Sequence, residues 1–205
     1  MIARSFVGLS WFAVAASLSA QCATSWQGLS ALPGADAQVR VMTVWDQDGA
    51  GPLPAKLVVG GAFEVVGSAR GRGIAAYDPA SGQWAAIGGG IGQQFLGETA
   101  VNAIAVLPNG DLVVAGTFLT AGDVAATCIA RWDGTSWHAF ADGIGGRVNA
   151  LAVSLGGELY AGGRFLFADG NTVSIVGPPD ATPAVSPGQG LNENVNSLAV
   201  LLDDT

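Results

Sequence analysis

The chain has 205 residues, of which half are hydrophobic and 12% are charged, and it contains 31 glycines and 9 prolines. This number of turn-forming and chain-breaking residues favours short strands over helices and predicts an all-β fold. The formal charge is −8 and the eight basic residues are scattered. That pattern excludes nucleic-acid binding, which needs clustered lysine and arginine.

Residues 1–20 have the three parts of a secretory signal peptide. Arg4 supplies a positive charge, an apolar run follows, and small residues precede a cleavage point before Gln21. The apolar run is shorter than the roughly 20 residues of a membrane-spanning helix, which argues against an integral membrane protein. We therefore expect a protein that is secreted or held at the cell surface, in a periplasmic or extracellular compartment.

The two cysteines of the chain are Cys22 and Cys128. An oxidising compartment permits a disulfide between them. The alternative is two unrelated, mostly buried thiols, because sequence alone does not place the two Cα atoms within bridging distance.

Three nearly identical segments recur at intervals of 47 residues: VNAIAV from Val101, VNALAV from Val148 and VNSLAV from Val195. Repeats of this period, built from short apolar strands and glycine turns, are typical of a β-propeller, in which each repeat is one blade. Asn-Gly and Asp-Gly turns divide the best-formed repeat into antiparallel strands. The predicted strands are a (101–107), b (112–118), c (128–132) and d (136–140). The sequence thus predicts blades of four antiparallel strands.

The residue types in these strands indicate their depth in the blade. Strand a is apolar on both faces, as an inner strand must be. We expect one face to hold Val101, Ala103, Ala105 and Leu107, and the other to hold Ile104 and Val106. Strand b ends in a small pair before an aromatic residue, as in Gly60-Gly61-Ala62-Phe63, which allows close approach of backbones. Large rings in strands c and d are expected to fill the gaps between diverging blades.

In chain order, the region 21–205 is predicted to contain one lone strand, three blades and a second lone strand. The predicted segments are strand d at 24–29, blades at about 39–90, 101–145 and 148–191, and strand a at 195–201. The two lone strands do not make a fourth blade, so about three blades and an incomplete ring are expected, as an open array or a piece of a longer protein. End-to-end self-association through the exposed terminal strand is a further alternative.

The unit from Gly60-Gly61 through Tyr77 to Trp84 resembles the kelch repeats of the galactose-oxidase-like propeller superfamily. The second unit has Trp132 in place of the tyrosine, and the third keeps Gly162-Gly163 without the aromatic pair. The chain also resembles tandem propeller repeats of exported bacterial proteins. The resemblance implies the fold, whereas the family includes enzymes, adhesins and scaffolds alike. The copper chemistry of galactose oxidase does not follow, since the chain has one histidine and two tyrosines.

We predict no catalytic, metal-binding or cofactor-binding residue. His138 is the only histidine and lies in an outer strand without evident partners. Asp46-Gln47-Asp48-Gly49 resembles the start of a calcium loop, but the later ligand positions are absent, so a tight turn is expected. The glycines of 88–92 precede a strand rather than a helix, which argues against a phosphate-binding loop.

The b-to-c and d-to-a loops of a propeller lie at one rim, where a glycan or a protein surface could bind; a solvated rim would look the same. The polar residues predicted at this rim are Glu64, Arg70, Arg72, Gln93, Gln94, Glu98, Asp123, Asp169 and Asn171. We therefore expect an exported, non-enzymatic module with a structural or binding role. The alternative is part of a carbohydrate-active enzyme of the same superfamily, with its active residues outside this chain.

Overall fold

The structure, a computed structural model, describes residues 34–49, 51–92, 97–140, 143–165, 173–175 and 194–200. All regular secondary structure in these ranges is β-strand, which confirms the all-β prediction. The predicted signal peptide, Cys22, the strand at 24–29 and most of the second half of the third blade lie outside the described residues. The strands are β1 Val39–Trp45, β2 Lys56–Gly61, β3 Ile74–Asp78, β4 Gln83–Ala86, β5 Ile91–Gly92, β6 Ala100–Val106, β7 Leu112–Thr117, β8 Thr120–Ala121, β9 Val124–Ala125, β10 Ile129–Trp132, β11 Trp137–Ala139, β12 Gly146–Val153, β13 Leu159–Phe165 and β14 Val173–Ile175.

The strands form successive antiparallel meanders, which we number as blades. Blade 1 is the sheet β1-β2-β3-β4, blade 2 is the sheet β6-β7-β10-β11, and blade 3 contains β12-β13-β14. The four strands of blade 2 overlap the four predicted from its turns, and this prediction is confirmed. The described blades do not close into a ring, and the fold is an incomplete β-propeller.

Two apolar clusters hold neighbouring blades together. Val58 and Ile74 of blade 1 pack with Leu112 and Trp132 of blade 2 in the first cluster. The second joins blade 2 to blade 3 through residues that include Val148. Burial of one such aliphatic side chain contributes about 1.5–3 kcal/mol, so contact between blades is the main stabilising term of the array.

The predicted outer rings of blade 2 lie where expected. Trp132 and Trp137 are both buried, with ring centroids 5.1 Å apart, and they belong to the cluster between blades 1 and 2. The corresponding pair in blade 1, Tyr77 and Trp84, has almost the same separation of 5.2 Å but is only half-buried. The large rings of blade 2 therefore fill the space between diverging sheets, whereas Trp84 packs against residues of blade 1 itself.

The predicted faces of strand a are wrong at one residue. Val101 packs toward blade 1 together with Ile104 and Val106, whereas Ala105 and Leu107 pack toward blade 3. The cause is a β-bulge, because the pairing of β6 with β7 shifts register between Val101 and Ala103. An extra residue reverses the alternation of side chains, so residues before and after the bulge exchange faces.

The small pair at the end of strand b has two separate packing functions. A Cβ on Gly60 would lie 2.6 Å from Cγ1 of Val101, the first apolar residue of the next blade. A Cβ on Gly116, the second residue of its pair, would lie 2.0 Å from the carbonyl oxygen of Ala100 in its own sheet. The first glycine thus seats the following blade and the second makes room for the bulge, which confirms the expected close approach.

The structure contains a small fourth sheet that was not predicted from the sequence. Strand β5, in the glycine-rich linker after blade 1, pairs with β8, which in turn pairs with β9 in the b-to-c loop of blade 2. Two-residue strands of this kind have no periodic signal of their own, because their partners are chosen by the packing of the blades.

Candidate functional site

One residue of each inner strand is displaced by a β-bulge. The register shifts between Val39 and Val41 in β1, between Val101 and Ala103 in β6, and between Val148 and Ala150 in β12. The residues left over are Arg40, Asn102 and Asn149. Bulges re-aim a side chain, and here each bulge directs a polar side chain toward a neighbouring repeat.

These polar side chains link the repeats in series. Nδ2 of Asn102 donates to the carbonyl oxygen of Val148 in blade 3 at 2.9 Å. Nδ2 of Asn149 makes the same bond one repeat later, to the carbonyl oxygen of Val195, at 3.1 Å. Both bonds run to the valine that precedes the next asparagine, so the Val-Asn pair is both acceptor and donor. We call this series of hydrogen bonds the asparagine ladder.

Blade 1 begins the ladder with a cation in place of an amide. Nη1 of Arg40 donates to Oδ1 of Asn102 at 2.8 Å, and Nη2 is paired with the carboxylate of Glu98 in the d-to-a linker. The Glu98 side chain is 58% exposed, so the ion pair itself contributes about 0–1 kcal/mol. The bond from the guanidinium to the amide fixes the Asn102 side chain in the orientation that bonds to blade 3.

The rim residues predicted from the sequence are only partly described. Glu64, Arg70, Arg72, Glu98 and Asp123 are exposed in the structure, whereas Gln93, Gln94, Asp169 and Asn171 lie outside the described residues.

Backbone bonds draw the described rim loops together. The amide of Ile91 donates to the carbonyl oxygen of Arg72 at 2.8 Å, and the amide of Gly122 donates to that of Gly90 at 2.8 Å. The b-to-c loops of blades 1 and 2 are thereby joined to the linker between the blades. The exposed side chains on these joined loops carry both signs of charge.

His138 is engaged in the turn of its own hairpin. Its Nε2 lies 2.6 Å from Oδ2 of Asp133, while Oδ1 of Asp133 accepts bonds from the amides of Thr135 and Ser136. The bond to His138, followed by those backbone bonds, holds the pKa of Asp133 well below its ordinary value of 3.8. This carboxylate stabilises the hairpin between strands c and d.

The segment 46–49 forms a tight turn. Oδ2 of Asp48 accepts from the amide of Leu53 at 3.1 Å, and its carbonyl oxygen accepts from the amide of Gly51. Beside the turn is a hollow of about 130 Å³ lined by Trp45, Gln47, Leu53, Pro54, Lys56 and Asp78. No group of three or more His, Cys, Asp or Glu side chains with metal-binding geometry occurs in the described ranges.

Cys128 is buried and directly precedes strand c of blade 2. Its amide donates to the carbonyl oxygen of Phe118, as the amide of Gly73 does to that of Phe63 in blade 1. Both residues have positive φ, 61° for Cys128 and 80° for Gly73, a conformation that glycine adopts most readily. Burial raises the pKa of the Cys128 thiol, which makes it a poor nucleophile.

The asparagine ladder, unlike the rim, was not predicted from the sequence. The available signal was the asparagine that follows valine in all three copies of the 47-residue repeat. A polar residue kept inside an apolar strand is unexpected unless it has a hydrogen-bond partner. That partner is a backbone carbonyl of another repeat, which no property of the single segment identifies.

No curated protein and no solved structure matches the chain. Within the part of the chain that the structure describes, there is no helix with the length and apolar character needed to span a bilayer. A family model described as the Rax2 C-terminal β-propeller domain matches residues 90–202, which is more than half of the chain. The match covers blades 2 and 3 together with segment 194–200, where the ladder passes from Asn102 to Val195. The chain therefore belongs to the Rax2 C-terminal β-propeller domain family.

Proposed function

We propose that this chain is an exported, non-enzymatic β-propeller module with a structural or binding role, and that it is part of a longer protein. The asparagine ladder carries the proposal. Asn102 and Asn149, the bulged residues of β6 and β12, donate hydrogen bonds that hold one repeat against the next.

Binding would take place at the rim, with a protein or a glycan as ligand. The support is the exposed, mixed-charge surface formed by Glu64, Arg72 and Asp123 on loops that are tied together by backbone bonds. Loops held by a rigid scaffold are the usual location of binding residues.

A glycan array and a pull-down with the secreted form test the rim. We expect binding that is lost when Glu64→Ala and Asp123→Ala are combined. Glu158→Ala is the matched control, since Glu158 is equally exposed but lies in the a-to-b turn at the other end of blade 3. Absence of binding above a heat-denatured sample would count against the binding role.

A second candidate is part of a carbohydrate-active enzyme of the kelch or galactose-oxidase-like superfamily. The aromatic pairs favour this narrower kinship, because Tyr77 with Trp84 and Trp132 with Trp137 repeat one geometry at the kelch positions. The active residues would lie in other blades. The native transcript discriminates between the candidates: further repeats with several His, Tyr or Glu residues in their loops would favour the enzyme.

Export also sets the state of the cysteines. With residues 1–20 removed in an oxidising compartment, Cys22 and Cys128 would be available to pair, although Cys128 is buried. Intact mass of the secreted chain measures the cleavage. A thiol count in denaturant without reductant then finds no free thiol if the disulfide is present and two if it is absent.

A further inference from the structure

The face of blade 1 that points away from blade 2 exposes an apolar stripe. Val39 is 41% exposed, Met42 is 63% exposed and Val44 is 66% exposed. Met42 is paired with Val59 and Val44 with Leu57, and the second row continues to Tyr77 and Trp84. We call the three β1 side chains the open stripe.

The same three positions are covered in each later repeat. Val101, Ile104 and Val106 of β6 pack into the cluster shared with blade 1. Their counterparts in β12, Val148, Leu151 and Val153, pack into the cluster shared with blade 2. Each stripe thus lies on the sheet of the preceding repeat, and its first valine reaches a small residue near the end of that repeat's strand b.

Segment 194–200 places the stripe of the next repeat on blade 3. The amide of Val195 donates to the carbonyl oxygen of Gly163, and a Cβ on Gly162 would lie 2.5 Å from Cγ1 of Val195 and 3.3 Å from Cδ1 of Leu198. This segment forms no regular strand, and Val200 is 38% exposed. We call the surface of β13 around Gly162 the β13 seat. It receives the stripe residues Val195 and Leu198, but the segment that carries them is not a regular strand.

We propose that the open stripe of blade 1 docks on the β13 seat of a second copy of this chain, in place of that copy's segment 194–200. The residues of β1 from Val39 to Val44 carry valine, methionine and valine where 195–200 carries valine, leucine and valine. Val39 then packs on Gly162, and its carbonyl oxygen accepts the Asn149 bond that Val195 receives within one chain.

The second copy is the fitting occupant because this chain carries both halves of the contact. Stripe and seat are different surfaces, so the association is head-to-tail. Docking buries Met42 and Val44 on the seat and releases Val195 and Leu198 of the displaced segment, so the two occupants compete for one surface. This association of two copies does not depend on a ligand at the rim.

Sedimentation velocity of the full chain over a range of concentrations tests the proposal. We expect reversible, concentration-dependent association that begins with a dimer, and its dissociation constant should rise by at least about tenfold when Met42→Glu and Val44→Glu are combined, because two charges would have to be buried without partners. Ala139→Glu is the control: Ala139 is exposed, lies in β11 of blade 2 away from both the stripe and the seat, and its replacement should leave the constant unchanged.

Two further variants separate docking from misfolding. Met42→Gln with Val44→Thr is a milder replacement at sites already more than half exposed, and it should weaken the dimer while the circular dichroism spectrum and Tm stay as in the wild type. Leu198→Glu loosens the competing segment and should strengthen the dimer. A wild-type chain that stays monomeric at all concentrations, a dimer insensitive to the Met42 and Val44 variants, or a dimer weakened by Leu198→Glu would overturn the proposal.

Discussion

Removal of the Asn102 side chain should destabilise the array more than an ordinary polar substitution in a strand. Asn102→Ala deletes the 2.9 Å bond to the carbonyl oxygen of Val148 and the 2.8 Å bond from Arg40. A neutral hydrogen bond contributes about 0.5–1.5 kcal/mol and a charge-assisted one about 1.5–3 kcal/mol. Allowing for the exposure of the Arg40 guanidinium, we expect the free energy of unfolding to fall by about 2–3 kcal/mol.

Two other variants isolate the cause. Asn102→Asp retains an acceptor for Arg40 but loses the donor and places a carboxylate beside the Val148 carbonyl, so it should also destabilise. Asn196→Ala is the matched control, since Asn196 holds the same repeat position, is exposed, and within the described part of the chain makes one side-chain contact, at 3.5 Å from Asn149. Its effect should stay within about 0.5 kcal/mol.

Equilibrium unfolding in urea, followed by tryptophan fluorescence, measures all three variants. Trp45, Trp132 and Trp137 lie in the cluster between blades 1 and 2, so their fluorescence reports on contact between these blades. A cost below about 0.5 kcal/mol for Asn102→Ala, or an equal cost for Asn196→Ala, would refute the view that the ladder joins the blades.

Variants at Gly116, Trp45 and Asp133 should each change the stability of the protein through one contact or one group. Gly116→Ala places a Cβ 2.0 Å from the Ala100 carbonyl oxygen and should cost about 3 kcal/mol in urea unfolding, whereas Gly34→Ala meets nothing within 4 Å and should be neutral. Trp45→Phe removes the 2.7 Å bond from Nε1 to the Gly110 carbonyl oxygen and should lower the free energy of unfolding by about 1 kcal/mol; an unchanged urea midpoint would be contrary to this. Folding lowers the pKa of Asp133, so the contribution of its carboxylate to stability is complete above the unfolded value of 3.8 and is lost as the pH falls through the folded value. Asp133→Asn should therefore flatten the acid side of a curve of Tm against pH. An unaltered acid side would contradict this prediction.

The strands of blade 2 follow from local sequence because each of their determinants is local. Asn109-Gly110 and Asp133-Gly134 close hairpins through turn geometry, and the apolar runs between them set the strand lengths. Even the small pair ending in Gly116 has a signature visible in one segment. These features required no knowledge of the neighbouring blade.

The direction of Val101 did not follow from the same alternation of residues. A bulge adds one residue, and whether the chain accepts it depends on what the displaced side chain can bond to. Asn102 finds Arg40 on one side and the Val148 carbonyl on the other. Those partners are 62 and 46 residues away along the chain, so the local sequence around Asn102 does not reveal them.

At the rim, the exposure of single residues could be predicted from the sequence, whereas the connection between the loops could not. Loops rich in polar residues indicated that Glu64, Arg72 and Asp123 would be exposed, and they are. The short pairing of β5 with β8, which joins the loops, exists only because blades 1 and 2 are already packed together.

By itself, the amino-acid sequence determined the period, the turns, the strand order within a blade and the apolar character of the inner strands, because each depends on residues close together in the chain. Tertiary structure alone decided which valine faces which blade, how the bulged asparagines bond, and that Met42 and Val44 are exposed while Ile104 and Val106 are covered. These are outcomes of contact between repeats 47 residues apart, where packing and unpaired carbonyls choose among arrangements that a single repeat allows equally.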